Sequence, residues 1–217
     1  MKRLVFIVEG DCEVQFVHNH VMPYLYSLGY QNTMNAQAIT TNRKLNQKGG
    51  GNNYEYLKNE INRILAQPNT IVTTFIDFFK LPTNTPKYSA DVHQIDTIEE
   101  AISENIGSSF LIPYIQKHEF EALLFADMAG FELVVDDNSS IQQLQQIIDD
   151  YPNPEDINNN PATAPSKRLQ QIFNYHKVSD SDLIADMIGL QKIIEKCPRF
   201  AQWLETIREK LDLFNTQ

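Results

Sequence analysis

The sequence predicts an α/β protein: a mainly parallel four-stranded sheet flanked by helices, followed by an α-helical C-terminal region. Three observations predict it. Residues 3–8 and 70–76 are apolar, β-branched runs of the kind that form strands buried on both faces. Helical periodicities alternate with these runs and with two weaker strand segments up to residue 115, the β-α-β-α-β-α-β order of a parallel sheet. Beyond residue 118 only helical patterns remain. The expected division is an α/β core over residues 1–126 and a helical region over 127–217 packed on it.

The elements follow in order. Residues 3–8 form the first strand. Residues 12–28 carry Val14, Phe16, Val17, Val21, Tyr24, Leu25 and Leu28 at roughly helical spacing, with Pro23 as a kink point and Gly29 as the cap. A short strand is expected at 35–41, then a polar loop from Thr41 to Asn53 containing Gly49, Gly50 and Gly51. Residues 54–66 place Leu57, Ile61, Ile64 and Leu65 on one helical face. The strand at 70–76 ends at Asp77. A loop with Pro82 and Pro86 leads to a helix near 95–106 and a strand at 109–115. Helices are then expected at 118–126, 141–150, 166–175, 181–196 and 199–213, with an Asn- and Pro-rich loop or hinge at 152–165.

Composition narrows the function classes. The hydrophobic fraction of 42% supports a genuine core, and no apolar run is long enough to span a bilayer. The opening MKRLVFIVEG has too short an apolar run for a secretory signal, and an acid follows it at once. A cytoplasmic protein is therefore expected, with Cys12 and Cys197 as reduced thiols. The net charge of −10 argues against coating nucleic acid by bulk electrostatics. It leaves room for a nuclease, because a metal site itself requires acids. Basic clusters occur locally, at Arg43, Lys44 and Lys48 and at Lys167 and Arg168.

The chemistry concentrates at strand ends. Val8-Glu9-Gly10-Asp11-Cys12-Glu13 delivers one acid to the end of the first strand and another to the first turn of the helix. Asp77 ends the other long apolar strand. Ligands in open α/β sheets bind beyond the carboxyl ends of the strands, and right-handed crossovers would bring Glu9 and Asp77 to one edge. Acids gathered there are costly unless paired or metal-bound, and Mg²⁺ is the natural partner. The competing reading is a strand-to-helix turn with acids favoured by the helix dipole. His118-Glu119-Phe120-Glu121 follows the fourth strand directly and offers two further acids; Ala122 rules out a zinc-peptidase His-Glu-x-x-His motif. The 43–51 loop and the helix start at Ser166, Lys167 and Arg168 could contact phosphate, or could be a connector and a capped helix end. Without a Gly-Lys-Ser/Thr ending the loop does not indicate ATP binding. Cys12 fits a buried filler better than a reactive thiol, and His18 and His20 lack partners at ligand spacing.

The Glu9–Glu13 segment resembles the glutamate motif of Toprim domains, the metal-binding module of topoisomerases, primases and nucleases of the overcoming-lysogenization-defect type. Phe75-Ile76-Asp77-Phe78-Phe79-Lys80-Leu81-Pro82 sits where those domains carry their Asp-x-Asp strand end. A Toprim-like bacterial family of unknown function (domain-of-unknown-function family 4276) is more similar still. It shares Ile112-Pro113-Tyr114-Ile115, His118 through Phe125, Ala164-Pro165-Ser166-Lys167-Arg168, and Cys197-Pro198-Arg199-Phe200 with Trp203. This resemblance covers nearly the whole chain. It implies a Toprim-like, Rossmann-like core whose carboxylates hold Mg²⁺ or Mn²⁺ for phosphodiester chemistry, often beside a partner ATPase in anti-phage defence or DNA repair. Phe79 departs from the pattern, standing where the second acid of Asp-x-Asp is expected.

The leading expectation is a Mg²⁺-dependent phosphoesterase, foremost a nuclease acting on nucleic acid. Glu9, Glu13 and Asp77 are the expected catalytic residues, and Glu9, Glu13, Asp77, Glu119 and Glu121 the metal ligands. Lys48, Lys167 and Arg168 would steady the substrate phosphate. The alternatives are a catalytically silent Toprim-like subunit that binds or regulates an ATPase, and an enzyme acting on small phosphate esters.

Overall fold

The computed structural model describes all residues except Met1, 43–46, 49–52, 159, 161 and Gln217, and the backbone alone at 40–42 and 47–48. Strand β1 (Arg3–Val8) lies between β2 (Thr33–Ala38) and β5 (Thr70–Asp77), and every pairing in this sheet is parallel. The short strands β3 (Thr40–Asn42) and β4 (Gln47–Lys48) form a separate antiparallel pair. The expected fourth strand is two short pieces, β6 (Leu111–Ile112) and β7 (Ile115–Gln116), both on the outer side of β5.

Pro113 causes that break, because proline has no N–H to give the ladder. Threonines of β5 fill the gap. The Thr74 hydroxyl donates to Tyr114 O at 2.8 Å and accepts the Tyr114 N–H at 2.7 Å. The Thr73 hydroxyl donates to Ile112 O and accepts Trp203 Nε1–H at 2.8 Å, so two polar side chains inside an apolar strand are satisfied.

The first helix is continuous but uneven: α1 (Asp11–Phe16), a π turn (Val17–Val21) and α2 (Met22–Ser27). Met22 N–H reaches five residues back to Val17 O, a widened turn that admits Pro23 near the start of α2. Helices α3 (Tyr54–Leu65) and α4 (Ile95–Ile106) match the expected spans. The expected helix at 118–126 is a 3₁₀ segment, Phe120–Phe125, with all six residues buried. After α5 (Asn138–Asp150) and α6 (Pro165–Ile172), the single helix expected at 181–196 is divided into α7 (Lys177–Ile188) and α8 (Leu190–Lys196). Gly189 divides them, with a φ of 75° that continues neither helix. Helix α9 (Pro198–Thr216) closes the chain; its first N–H groups, from Arg199 and Phe200, donate to the buried Glu155 carboxylate at 2.8 and 3.0 Å.

Alternation along β1 sorts the two sides of the sheet. Leu4, Phe6 and Val8 face a core shared with the first helix and with α5 through α9. Val5 and Ile7 face a second core built with α3 and α4. The helical C-terminal region therefore covers one face of the sheet and helps form its principal core.

The strand order fixes where a ligand can enter. From β1 the chain moves to β2 on one side, then crosses back over β1 to reach β5 on the other. The direction of winding reverses between β1 and β5, which opens a crevice at their carboxyl ends. Among the described residues, no helix is long and apolar enough to cross a membrane.

Candidate functional site

Glu9 and Asp77 stand at that crevice. Val8 pairs with Phe75 across β1 and β5, so the residues that follow leave the sheet side by side. The Asp77 N–H donates to Glu9 Oε2 at 3.3 Å. Gly10 then turns the chain into α1, and Glu13 folds back to accept the Gly10 N–H at 2.8 Å. A Cβ at Gly10 would come within 3.2 Å of Glu13 Oε2, which explains a glycine where the backbone itself is extended.

The third contributor arrives from β7. Asp77 pairs with Gln116 across the ladder, and the chain reverses at His118, whose φ of 67° is the left-handed conformation a non-glycine residue adopts under constraint. His118 O accepts the Phe79 N–H at 2.8 Å, a backbone bond that braces this turn whatever side chain stands at position 79. Beyond it, the Phe120 N–H donates to Asp77 Oδ1 at 2.8 Å. Glu119 and Glu121 enter the site on either side of that bond, both buried. Glu119 Oε2 accepts the Ser166 N–H at 3.0 Å, so the start of α6 serves this acid.

Five carboxylates thus lie close enough to act on one another. Burial, then Glu13, push the Glu9 pKa up, against the Asp77 N–H and Lys177. Burial, then Glu9, Glu13 and Glu121, hold Asp77 well above the ordinary aspartate range. Glu121, fully enclosed, is pushed up by burial to about 7, with Lys177 opposing and Glu119 and Glu13 adding to the rise. These are the desolvation and like-charge effects expected when acids are gathered without enough counter-charge.

Among the described residues, Lys177 is the cation that pairs with these acids. Its Nζ lies 3.2 Å from Glu121 Oε1 and 3.8 Å from Glu13 Oε1. Burial works against its charge, but Glu121, Glu13 and Asp77 outweigh that and raise its pKa. The pairing leaves Glu121 short of partners, since neither of its oxygens accepts a hydrogen bond of good geometry. Helix α7 is held in place by Asp182, which takes hydrogen bonds from Gln15 and Asn19 and pairs with His20 at 3.2 Å. Gly130 lets α7 approach closely: a Cβ there would lie 2.7–2.9 Å from Ile184 and Ile188 side-chain atoms. Among the described residues, no three His, Cys, Asp or Glu side chains are arranged to hold a metal ion together. Lys177 already bridges two of the acids such a set would use.

The remaining expected residues are placed as follows. The Lys48 side chain and most of the 43–51 loop lie outside the described residues. Lys167 is exposed and bonds Gln170, while Arg168 donates to Thr163 O at 2.8 Å and lies over the Tyr151 ring. His118 is buried apart from the acids, its Nδ1 without a partner; burial and then Lys117 lower its pKa to about 4. Cys12 is buried beside Glu13, and burial pushes its thiol up to about 12. Sequence reasoning missed Lys177 altogether. Its one signal was a lysine opening a helix, where the dipole disfavours positive charge.

No curated protein and no solved structure matches the chain. A family model does match, over residues 8–208, a span that takes in Glu9, Glu13, Asp77, Glu119, Glu121 and Lys177. The chain belongs to the family described as Domain of unknown function (DUF4276).

Proposed function

We propose that this protein is a Mg²⁺- or Mn²⁺-dependent phosphoesterase, acting as a nuclease, with its reactive centre at the switch-point crevice. One observation carries the reading: five acids gather at the strand ends, Lys177 is the lysine paired with them among the described residues, and Glu121 is buried with neither oxygen accepting a hydrogen bond of good geometry. A hard divalent cation is the partner that such an all-oxygen set favours. The resemblance to Toprim domains points the same way, with Glu119 and Glu121 standing in for the acid that Phe79 displaces.

Asp77, with Glu121 or Glu119, would hold the ion, a two-carboxylate seat, since no three such side chains are set around one point among the described residues. When bound, the ion supplies Lewis acidity toward phosphate and lowers the pKa of an attached water. Glu9 is less enclosed than the other acids, and its raised pKa suits a base that orients and deprotonates water. Glu13 is already engaged by Gly10 N–H and Lys177, so its part is to hold the helix start and that lysine. The half-exposed Lys177 ammonium can then face a phosphate oxygen.

The test is cleavage of DNA and RNA by purified protein in Mg²⁺ or Mn²⁺, compared with Glu9→Gln and Asp77→Asn. Metal-dependent cleavage that both substitutions abolish supports the proposal. Equal activity in all three proteins, or none in the wild type, defeats it. A second reading rests on Phe79 and on the Lys177 bridge: a catalytically silent subunit acting with an ATPase, in which the lysine permanently fills the cation position. Calorimetric titration with Mn²⁺ separates the two, because the silent subunit gives no binding heat.

A further inference from the structure

We infer that Lys80 is the residue that receives the substrate's phosphate at the mouth of the acid site, meeting it with an unpaired ammonium. This assignment rests on the phosphoesterase reading for the identity of the ligand, while the placement of Lys80 stands on its own geometry. Lys80 lies three residues past Asp77, beyond the end of β5, and lines one small cleft together with Glu9 and Asp77. The cleft has room for about 30 Å³, enough for a water and too little for a sugar or a base. A ligand therefore meets these side chains from the solvent side, where Lys80 is exposed and Glu9 is the least enclosed of the acids.

Two features set Lys80 apart from an ordinary surface lysine. The first is its backbone. Phe78 and Leu81 are both buried, and the Leu81 N–H donates to Phe78 O at 3.1 Å, closing a tight turn. Lys80 is the third residue of that turn, with a φ of 63°, a conformation that favours glycine or asparagine there. A lysine is the costlier choice, and residues held against local preference cluster at ligand sites. The second feature is its charge. Two carboxylates line the same cleft, yet among the described residues no acid forms an ion pair with the Lys80 ammonium, whereas Lys177 pairs with two. The Phe79 ring lies beneath Lys80 instead, with its centre 5.0 Å from Nζ. The aromatic side chain that stands where a motif acid is expected is thus a platform for a cation. Five ionised acids exceed the charge of one divalent ion and Lys177 together, so an incoming phosphate is repelled unless another cation meets it. Lys80 offsets that repulsion and offers ammonium donors to the phosphate oxygens.

The test follows acylation of Lys80 by an N-hydroxysuccinimide ester, read by mass spectrometry. Lys87 is the internal control, because it is also exposed and left-handed, at φ 50°, but does not line the cleft. The probes are inorganic phosphate in EDTA and a cleavage-resistant, phosphorothioate-linked thymidine dinucleotide in Mn²⁺. Both should slow labelling of Lys80 several-fold and leave Lys87 unchanged. In the cleavage assay, Lys80→Met should raise KM about tenfold or more and change kcat less, as for one charge-assisted contact made before and during the reaction. Lys80→Arg, which keeps the charge, should recover most of that binding. Lys80→Gly should raise KM as Lys80→Met does, yet unfold in urea at the same or a higher midpoint, because glycine relieves the turn; a lysine kept only for structure would leave KM where it was. Absence of protection, equal slowing at Lys87, or a KM indifferent to Lys80→Met overturns the assignment, and cleavage that persists in that case leaves the phosphoesterase reading intact. Selective protection of Lys80 in a protein that cleaves no nucleic acid upholds the phosphate site and sinks the phosphoesterase reading.

Discussion

Replacing Glu121 by glutamine removes a charge that the folded protein carries at a cost. In the unfolded chain this carboxyl releases its proton near 4.5; in the folded protein, burial and its acidic neighbours delay release to about 7. Between those values the folded state binds more proton than the unfolded state, so stability falls as pH rises. By pH 8 the loss is complete, and a shift of that size corresponds to about 3 kcal/mol. Glu121→Gln has no charge to lose. The metal-free variant should therefore be more stable than wild type at pH 8 by about 1–3 kcal/mol, the lower end reflecting the amide's own need for partners. For a chain of this length that raises Tm by up to about 10 °C. At pH 4.5 the two proteins should be nearly equal. Urea unfolding in EDTA at both pH values, read from the single buried Trp203, measures the difference directly. Added Mn²⁺ at pH 8 should stabilise wild type and have much less effect on the variant. A Glu121→Gln protein less stable than wild type at pH 8, or unchanged in its pH profile, would refute the claim that Glu121 is held at a cost for a cation.

Further outcomes follow from the same geometry. Gly10→Ala forces its Cβ to 3.2 Å from Glu13 Oε2 in a backbone any residue can adopt; cleavage activity should fall sharply while the unfolding free energy from urea curves changes by less than about 1 kcal/mol. Gly130→Ala sets a methyl against Ile184 and Ile188 and should cost about 1–3 kcal/mol by overpacking, measured by the same unfolding curves. Native Cys12, buried with its thiol pushed up to about 12, and Cys197, fully enclosed, should resist a thiol reagent at pH 8 and react only on unfolding; fast labelling of the folded protein would contradict their placement.

The parts of the fold that were legible in the sequence are those dictated by local pattern. The apolar runs of β1 and β5 could only be strands buried on both faces, and the alternation with helices set the parallel sheet. The convergence of Glu9 and Asp77 followed, because parallel strands bring their ends to one edge. What escaped depended on single residues whose effects are tertiary. Pro113 split a strand that Thr73 and Thr74 then bridged from a neighbouring strand. Gly189 divided a helix whose periodicity ran straight through it, and the 118–126 helix became a 3₁₀ segment after His118 reversed the chain. Lys177 was invisible because its partners lie more than fifty residues away, and no local pattern marks a lysine that answers distant acids.

The most direct test is a crystal soaked in Mn²⁺ at pH 8 and read by anomalous scattering. The account predicts one ion bound by Asp77 with Glu121 or Glu119, at about 2.0–2.3 Å from carboxylate oxygens, with the Lys177 ammonium drawn away from Glu121. A saturated crystal with no manganese peak in the crevice, and Lys177 still bridging Glu13 and Glu121, would contradict it.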